Sequence, residues 1–390
     1  MKTKLSMPYS CQWIEEDEIN AVVSTLRSVS LTQGPKVVEF ETQFAKKVGA
    51  KYAVAVSSGT AALHLCALAL RLKTGDEVIT TPITFLATAN SILYAGARPV
   101  FADIEEKYIC INPEQAEKTI TERTKAVFAV DFGGHPADLE ALSSICSRYG
   151  LTLIEDAAHA LGAYYNGETV GNCRFSKASV FSFHPVKHIT TGEGGMVTTN
   201  DQHFYERLCD LRNHGMSRKR DQFIYGDDGP WYYEMQDLGF NYRTTDIQSA
   251  LGLCQLPKLE LFVKRRREIA AKYLDAFSNL AGLRLPEESK EALSSYHLFV
   301  IRLRLDRLKK SRKQIFEALK EEGLGVQVHY IPITRQPYYR GLGYKPEDCP
   351  LAEAFYESAI SLPLFPKMSD EEVAYVIDVV REVFQSSLIR

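Results

Sequence analysis

A single lysine lies between a short apolar run and a group of glycines. Residues 178–183 are predicted to form a buried strand, Lys187 follows shortly after Pro185, and glycines recur over residues 192–195. Lysine forms Schiff bases with bound carbonyl compounds, and enzymes that use pyridoxal phosphate hold their cofactor in this way. A solvated surface lysine is the commoner case. The chemical interpretation of Lys187 therefore depends on partners elsewhere in the chain.

An acidic residue, Asp156, follows a second apolar run and precedes two alanines and His159. A carboxylate beside a pyridine nitrogen favours the protonated ring, and the pyridinium then accepts the electrons of a carbanion. The interval between Asp156 and Lys187 is long enough for one crossover and one further strand, which places both residues at one sheet edge. The alternative, that Asp156 caps a helix, is equally compatible with this segment.

A third segment could hold a phosphate group. Residues 57–63 pass from a predicted strand into a helix, where backbone N–H groups and the helix dipole favour an anion. Gly59 permits close approach, Thr60 adds a hydroxyl, and Ser182 lies at the same predicted edge. A plain helix cap explains the serines and threonine equally well. The segment is neither a Walker loop nor a G-x-G-x-x-G fingerprint.

Short apolar runs alternate with helical patterns through most of the chain. This alternation predicts an α/β fold with a mostly parallel sheet that is covered on both faces, and its site lies at the carboxyl ends of the strands. Strands are predicted at residues 52–56, 77–80, 99–102, 126–130, 151–154, 178–183, 196–199, 301–305 and 326–330. The pattern changes near residue 256, so we predict a large domain over residues 1–256 and a smaller α+β domain over residues 257–390.

Composition excludes several classes of function. The net charge of −3 does not favour a nucleic-acid partner, and no apolar run is long enough to predict a membrane span. The 8 cysteines are scattered without a C-x-x-C pair, which argues against a zinc module and favours a reducing, cytoplasmic location. No metal site is predicted, and the basic run at residues 264–267 is interpreted as a solvated helix face.

Several motifs occur in a characteristic order: S-G-T-A-A-L, T-P-x-T-F, A-x-P-V-F-x-D-I, E-D-A-A-H-A-L-G, S-F-x-x-x-K, G-E-G-G and G-F-N-Y-R. Together they resemble the DegT/DnrJ/EryC1/StrS family of pyridoxal-phosphate-dependent sugar aminotransferases, over nearly the whole chain. The resemblance implies the aspartate aminotransferase-like fold, which is fold type I of the pyridoxal phosphate enzymes.

The resemblance also implies roles for individual residues. Lys187 is expected to hold pyridoxal 5'-phosphate and to move the proton, and Asp156 to pair with the ring nitrogen. The other cofactor contacts are expected from Gly59, Thr60 and Ser182 at the phosphate, Phe85 on the ring face, and His159 near the phenolic oxygen. Asn241 belongs to a segment that reaches the neighbouring subunit's cofactor phosphate in this family, which implies a homodimer with shared sites.

Within the family, residues 80–90 and 179–191 are most similar to enzymes of pseudaminic acid biosynthesis. This similarity implies a UDP-linked 4-keto-6-deoxy sugar as substrate, L-glutamate as amino donor and UDP-4-amino-4,6-dideoxy-N-acetyl-β-L-altrosamine as product. The expected substrate contacts are Tyr9, Val29, Ser30, Leu31, Thr32, His184, His329 and Tyr330.

Three alternatives stay open at this point. The first is an aminotransferase for a different nucleotide-linked keto sugar. The second is a pyridoxal phosphate dehydratase, although that branch has histidine where this chain has Lys187. The third is a non-catalytic protein that senses the cofactor and a sugar nucleotide.

Overall fold

A seven-stranded sheet forms the centre of the protein. The computed structural model describes residues 5–389. The strands lie in the order β1-β9-β8-β5-β4-β2-β3. Their bounds are β1 Tyr52–Val56, β2 Glu77–Thr80, β3 Arg98–Phe101, β4 Thr124–Val130, β5 Thr152–Asp156, β8 Ala178–Ser182 and β9 Gly195–Thr199. Only β9 is antiparallel to its neighbours in this sheet, so the predicted, mostly parallel sheet is confirmed.

Helices cover both faces of this sheet. They are α1 Glu16–Leu26, α2 Pro35–Val48, α3 Gly59–Ala69, α4 Leu86–Tyr94, α5 Pro113–Lys118, α6 Leu139–Tyr149, α7 Gln202–Arg212 and α8 Asp246–Gln255. Phe128 and Ile154 pack into the core beneath α3 and α7. Their neighbours Val127 and Leu153 pack with α6 on the other face. Strands buried on both faces are continuously apolar, which explains why the sequence predicts them well.

The C-terminal part has its own small sheet. Its helices are α9 Leu259–Phe277, α10 Arg312–Glu321, α11 Pro337–Gly341, α12 Pro350–Ser358 and α13 Asp370–Gln385, and its three-stranded sheet consists of β12 Leu283–Arg284, β14 Phe299–Leu303 and β15 Ala359–Leu362. Another three-stranded sheet consists of β13 Ala292–Leu293, β6 Tyr164–Tyr165 and β7 Glu168–Thr169, and β10 Met216–Ser217 pairs with β11 Glu234–Met235. Met7 from the N-terminal segment packs into the same core as α9, α10 and α13. The division at residue 256 stays a prediction.

Two local predictions are wrong. Residues 326–330 do not form a strand; only Gln327 pairs, with Ser361. After Gln327, the side chain of His329 forms a hydrogen bond with the Ser361 hydroxyl, and Tyr330 lines the cavity described below. The basic face of α9 is also not fully solvated, because Arg266 is completely buried and donates to the backbone carbonyl of Leu364 at 2.9 Å. Within residues 5–389, no helix is both long and apolar enough to cross a membrane.

Candidate active site

A cavity of ≈ 660 Å³ opens at the carboxyl ends of the parallel strands. Strands β1, β4, β5 and β8 end there, and helices α3 and α4 begin there. The predicted site residues on its wall are Tyr9, Gly59, Thr60, Phe85, Asp156, His159, Ser182, His184, Lys187, His329 and Tyr330. The sheet therefore brings together residues from distant parts of the chain, as predicted from the strand ends.

Asp156 is the last residue of β5, and its carboxylate is buried and well supplied with donors. The Thr88 hydroxyl donates to Oδ2 at 2.7 Å, and the Ala158 backbone N–H donates to Oδ1 at 3.2 Å. Burial raises the pKa of Asp156, while these hydrogen bonds and nearby Lys187 oppose the rise. The arrangement provides one fixed acceptor for a positive N–H group. Thr88 lies in the first turn of α4 and was not among the predicted site residues.

Lys187 lies in a turn after β8, where its backbone N–H donates to the His184 carbonyl at 2.9 Å. Burial lowers the pKa of its ammonium group to about 8, and the carboxylate of Asp156 acts in the opposite direction. Buried Arg266 lowers this pKa further. A lysine with this pKa is partly neutral near physiological pH, and the neutral amine is the nucleophile.

The first turn of α3 forms the opposite end of the cavity. The Ser58 side chain caps this helix by accepting from the Ala61 N–H at 3.1 Å. Gly59 packs against β8 so closely that a Cβ there would lie 2.9 Å from the Ser182 Cβ. A Cβ on Gly195, at the start of β9, would lie 2.5 Å from the Ser58 carbonyl oxygen. Glycines at both positions let a helix N-terminus, with its free N–H groups, face the cavity, which suits a phosphate.

His159 lies on the cavity wall as a neutral ring. Its Nδ1 accepts from the Gly133 N–H at 3.4 Å, so Nε2 carries the proton and donates to the Tyr330 hydroxyl at 3.1 Å. Burial lowers the pKa of His159 well below its usual value, and the charge of Lys187 adds to this effect. His159 can therefore act as an uncharged hydrogen-bonding group. Phe85 lies nearby and is 57% exposed, with its ring 6.2 Å from that of Tyr330.

Some predicted site residues do not reach the cavity of the single chain. Val29, Ser30, Leu31 and Thr32 are absent from its wall. Their loop is attached to α8, where the Asp246 N–H donates to the Leu31 carbonyl at 3.0 Å. Asn241 is exposed and pairs with Asn213 instead. These assignments remain predictions.

His184 and His188 do not line the same cavity. His184 lines the cavity, whereas His188 is buried behind it and its Nε2 lies 3.3 Å from the Ser295 carbonyl. Within residues 5–389, the one group with the spacing of metal ligands is Glu15, Asp17 and Glu18. The Lys258 ammonium already binds these three carboxylates.

The donor set fits pyridoxal phosphate. A buried carboxylate is available for the ring nitrogen, an amine of lowered pKa for the aldehyde, and a helix N-terminus with two hydroxyl side chains for the phosphate. The close contacts at Gly59 and Gly195 leave no room for side chains beside the first turn of α3. This combination supports amine transfer to or from a carbonyl compound.

Comparisons with known proteins agree with this chemistry. A model of the DegT/DnrJ/EryC1/StrS aminotransferase family matches residues 12–381. The spore coat polysaccharide biosynthesis protein SpsC of Bacillus subtilis is 43% identical over 383 residues, which cover 98% of each chain.

Solved structures of aminotransferases superpose on nearly the whole chain. Helicobacter pylori PseC, described as an aminotransferase involved in the biosynthesis of pseudoaminic (pseudaminic) acid, has a TM-score of 0.90 at 35% identity, with 98% of this chain and 100% of that chain covered. The PLP form of the putative sugar aminotransferase Spr1654 from Streptococcus pneumoniae has a TM-score of 0.90 at 31% identity, with 98% and 99% covered.

Proposed function

The chain belongs to the DegT/DnrJ/EryC1/StrS aminotransferase family and is a pyridoxal-phosphate-dependent sugar aminotransferase, and from this premise we propose its substrates. The amino donor is L-glutamate. The acceptor is the 4-keto carbon of a UDP-linked 4-keto-6-deoxy-N-acetylhexosamine, and the product is UDP-4-amino-4,6-dideoxy-N-acetyl-β-L-altrosamine. The similarity over full length to PseC, whose described role is in pseudoaminic acid biosynthesis, is the observation that carries this choice of sugar.

Bound pyridoxal phosphate supplies an aldehyde for the amino group and a ring that accepts the electron pair of a deprotonated carbon. Asp156 holds the proton on the ring nitrogen. Lys187 holds the cofactor at rest, removes the Cα proton of glutamate and later delivers a proton to C4 of the sugar. Because Lys187 starts at the reacting centre, it needs little rearrangement to act as base and acid.

The remaining contacts hold the cofactor and sugar in place. With the cofactor bound, Gly59, Thr60 and Ser182 would hold its phosphate, Phe85 would cover one face of the ring, and His159 would bind the phenolic oxygen. Tyr9, His184, His329 and Tyr330 line the space left for the sugar nucleotide. In a homodimer, Asn241 reaches the phosphate of the partner's site, and residues 29–32 contact the partner's sugar nucleotide.

The assignment of Lys187 is tested by reducing the loaded protein with borohydride and mapping the pyridoxyl group by peptide mass spectrometry. We expect the label on Lys187 and no turnover by Lys187→Ala. The matched control is Lys264→Ala, because Lys264 is exposed on α9. A label on another lysine would contradict the assignment.

The sugar is tested by incubating the protein with glutamate and a panel of nucleotide-linked keto sugars. We expect the 4-amino product from the UDP-linked β-L-arabino ketone. The relative SpsC, named for spore coat polysaccharide biosynthesis, favours a second candidate, an aminotransferase for a different nucleotide-linked keto sugar. If the β-L-arabino ketone gives no product and another keto sugar is turned over, the second candidate replaces the first.

A further inference from the structure

Two buried carboxyl groups lie directly behind Asp156. Asp131 follows the end of β4 and is 0% exposed, and Glu155 in β5 is 2% exposed. The strands pair in parallel, with Val130 opposite Asp156. Successive side chains alternate between faces, so Asp131 and Glu155 share the face away from the cavity. Neither lines the cavity, and the reaction described above does not use them.

Each carboxyl group has one satisfied oxygen and one without a donor. Asp131 Oδ1 accepts from the Ala137 N–H at 2.9 Å, and Glu155 Oε2 accepts from the Ser179 hydroxyl. Asp131 Oδ2 and Glu155 Oε1 are buried and lack a donor. The pairing of β4 with β5 makes the two side chains neighbours, and each of them shifts the pKa of the other.

Ionising both groups would be costly. Two carboxylates in contact inside a protein repel strongly, and an unpaired buried oxygen loses its hydration without compensation. One proton between them removes the repulsion and satisfies both free oxygens. We propose that Asp131 and Glu155 share a single proton, so that an O–H···O bond joins the ends of β4 and β5 and the pair carries one negative charge.

The surrounding groups support a retained proton. Burial raises the pKa of Asp131 well above its usual value, and repulsion from Glu155 and Asp156 adds to the rise. Burial also raises the pKa of Glu155, although hydrogen bonds from Ser179 and Ser176 oppose it. The thiols of Cys110 and Cys173 also face the pair, and burial raises their pKa values, so they stay neutral. Tyr165, Glu168 and Arg174 line the small pocket beside Glu155. Burial raises the pKa of Tyr165, and Arg174 is paired with Glu168.

The remaining negative charge lies behind the carboxylate of Asp156. A like charge there raises the proton affinity of Asp156 and so strengthens its bond to a protonated ring nitrogen. Asp131 and Glu155 are therefore positioning residues that act through Asp156. This consequence rests on the proposed role of Asp156, whereas the shared proton itself does not.

The shared proton makes a specific prediction for amide variants. Asp131→Asn replaces the protonated carboxyl by a permanent N–H donor and keeps one negative charge on the pair. The infrared difference spectrum, native minus Asp131→Asn at pH 7, is expected to show the C=O stretch of a protonated carboxyl group. The exposed control Glu114→Gln is expected to remove only a carboxylate signal. Absence of the protonated band would overturn the proposal, whatever sugar the enzyme uses.

Thermal unfolding between pH 5 and 9 provides a second measurement on protein with and without cofactor. A raised pKa in the folded state means that stability is lost as pH rises toward and through that pKa. Between pH 5 and 9, the Tm of the native protein should therefore decrease by at least ~2 °C more than the Tm of Asp131→Asn does. Parallel profiles would overturn the proposal.

Further variants separate a shared proton from a general need for these side chains. Glu155→Gln supplies the same donor from the other strand, so failure of both single variants to fold would also overturn the proposal. The double variant Asp131→Asn, Glu155→Gln removes the charge and should lower kcat about tenfold relative to either single variant, with a shifted pH profile. A double variant with the kcat and pH profile of the single variants would overturn the effect on Asp156.

Discussion

Lys187 and Asp156 have opposite responses to the same buried environment. Burial lowers the pKa of the lysine to about 8 and raises that of the aspartate, while attraction between the two charges opposes both shifts. The amine of Lys187 is thus held close to the pH at which proton transfer is efficient. The two side chains influence each other because β5 and β8, which carry them, end at the same edge of the sheet.

The lowered pKa of Lys187 predicts how fast cofactor-free protein takes up pyridoxal phosphate. Since the neutral amine is the nucleophile, the rate should rise with pH through a midpoint near pH 8 and level off above it. Asp156→Asn should move the midpoint to lower pH, because Asp156 raises the pKa of Lys187. Stopped-flow absorbance measures the rate. A rate that keeps rising toward the usual lysine pKa of about 10.4 would contradict this prediction.

The hydroxyl of Thr88 is expected to matter through Asp156. Thr88→Val removes the donor at 2.7 Å from a buried carboxylate, and a hydrogen bond to a charged group contributes about 1.5–3 kcal/mol. We expect kcat to fall roughly 10- to 100-fold, and the acid limb of its pH profile to move to higher pH because the pKa of Asp156 rises. Thr88→Ser is the control. Equal kinetics of the two variants would show that the hydroxyl does not act on Asp156.

At the scale of elements, the reversed strand β9 packs against the start of α3, where the phosphate is proposed to bind. It begins with Gly195, whose backbone lies against the carbonyl of Ser58 at the start of α3. The helix cap and the proposed phosphate site are therefore compatible: Ser58 caps α3, while Gly59 and Thr60 line the cavity.

Gly195→Ala tests this close contact. Its Cβ would lie 2.5 Å from a backbone oxygen, so β9 and α3 must separate, at a cost of about 1–3 kcal/mol. We expect a lower Tm and weaker cofactor binding, measured by thermal unfolding and by titration with pyridoxal phosphate. Gly341→Ala is the control because that Cβ meets nothing within 4 Å. Equal cofactor affinity in the two variants would contradict the proposed role of the contact.

At the scale of the whole molecule, the proposed homodimer explains two groups of predicted residues that lie away from the cavity. Residues 29–32 and Asn241 do not line the cavity of their own chain. In the proposed homodimer they lie at the partner's site. Shared sites can be tested without a structure of the dimer.

Mixing two inactive variants is the test. Lys187→Ala lacks the proposed catalytic amine, and Asn241→Asp would place a negative charge beside the phosphate proposed for the partner's site, so each alone should be nearly inactive. Refolded together in equal amounts, half of the dimers are mixed and each has one intact site, which restores about a quarter of native activity. Turnover of the mixture is the measurement. No recovery, with mixed dimers confirmed by mass spectrometry, would contradict shared sites.

Local patterns in the sequence predicted much of the fold. The buried strands β1, β2, β4, β5, β8 and β9 are apolar runs, and Lys187, Asp156 and Gly59 occur in motifs at their ends. Residues 326–330 were assigned wrongly because an alternation of apolar and polar residues does not specify a pairing partner.

Only the tertiary structure decided which distant groups meet. Thr88 donates a hydrogen bond to Asp156, the backbone of Gly195 lies against that of Ser58, and the carboxyl groups of Asp131 and Glu155 interact. No periodicity in the sequence encodes these contacts. The sequence by itself therefore determined which segments form strands and helices and which reactive side chains follow them, because both depend on neighbours along the chain. The pKa values, the hydrogen-bond partners and the shape of the cavity depend on burial between elements far apart in the chain, so only packing could set them.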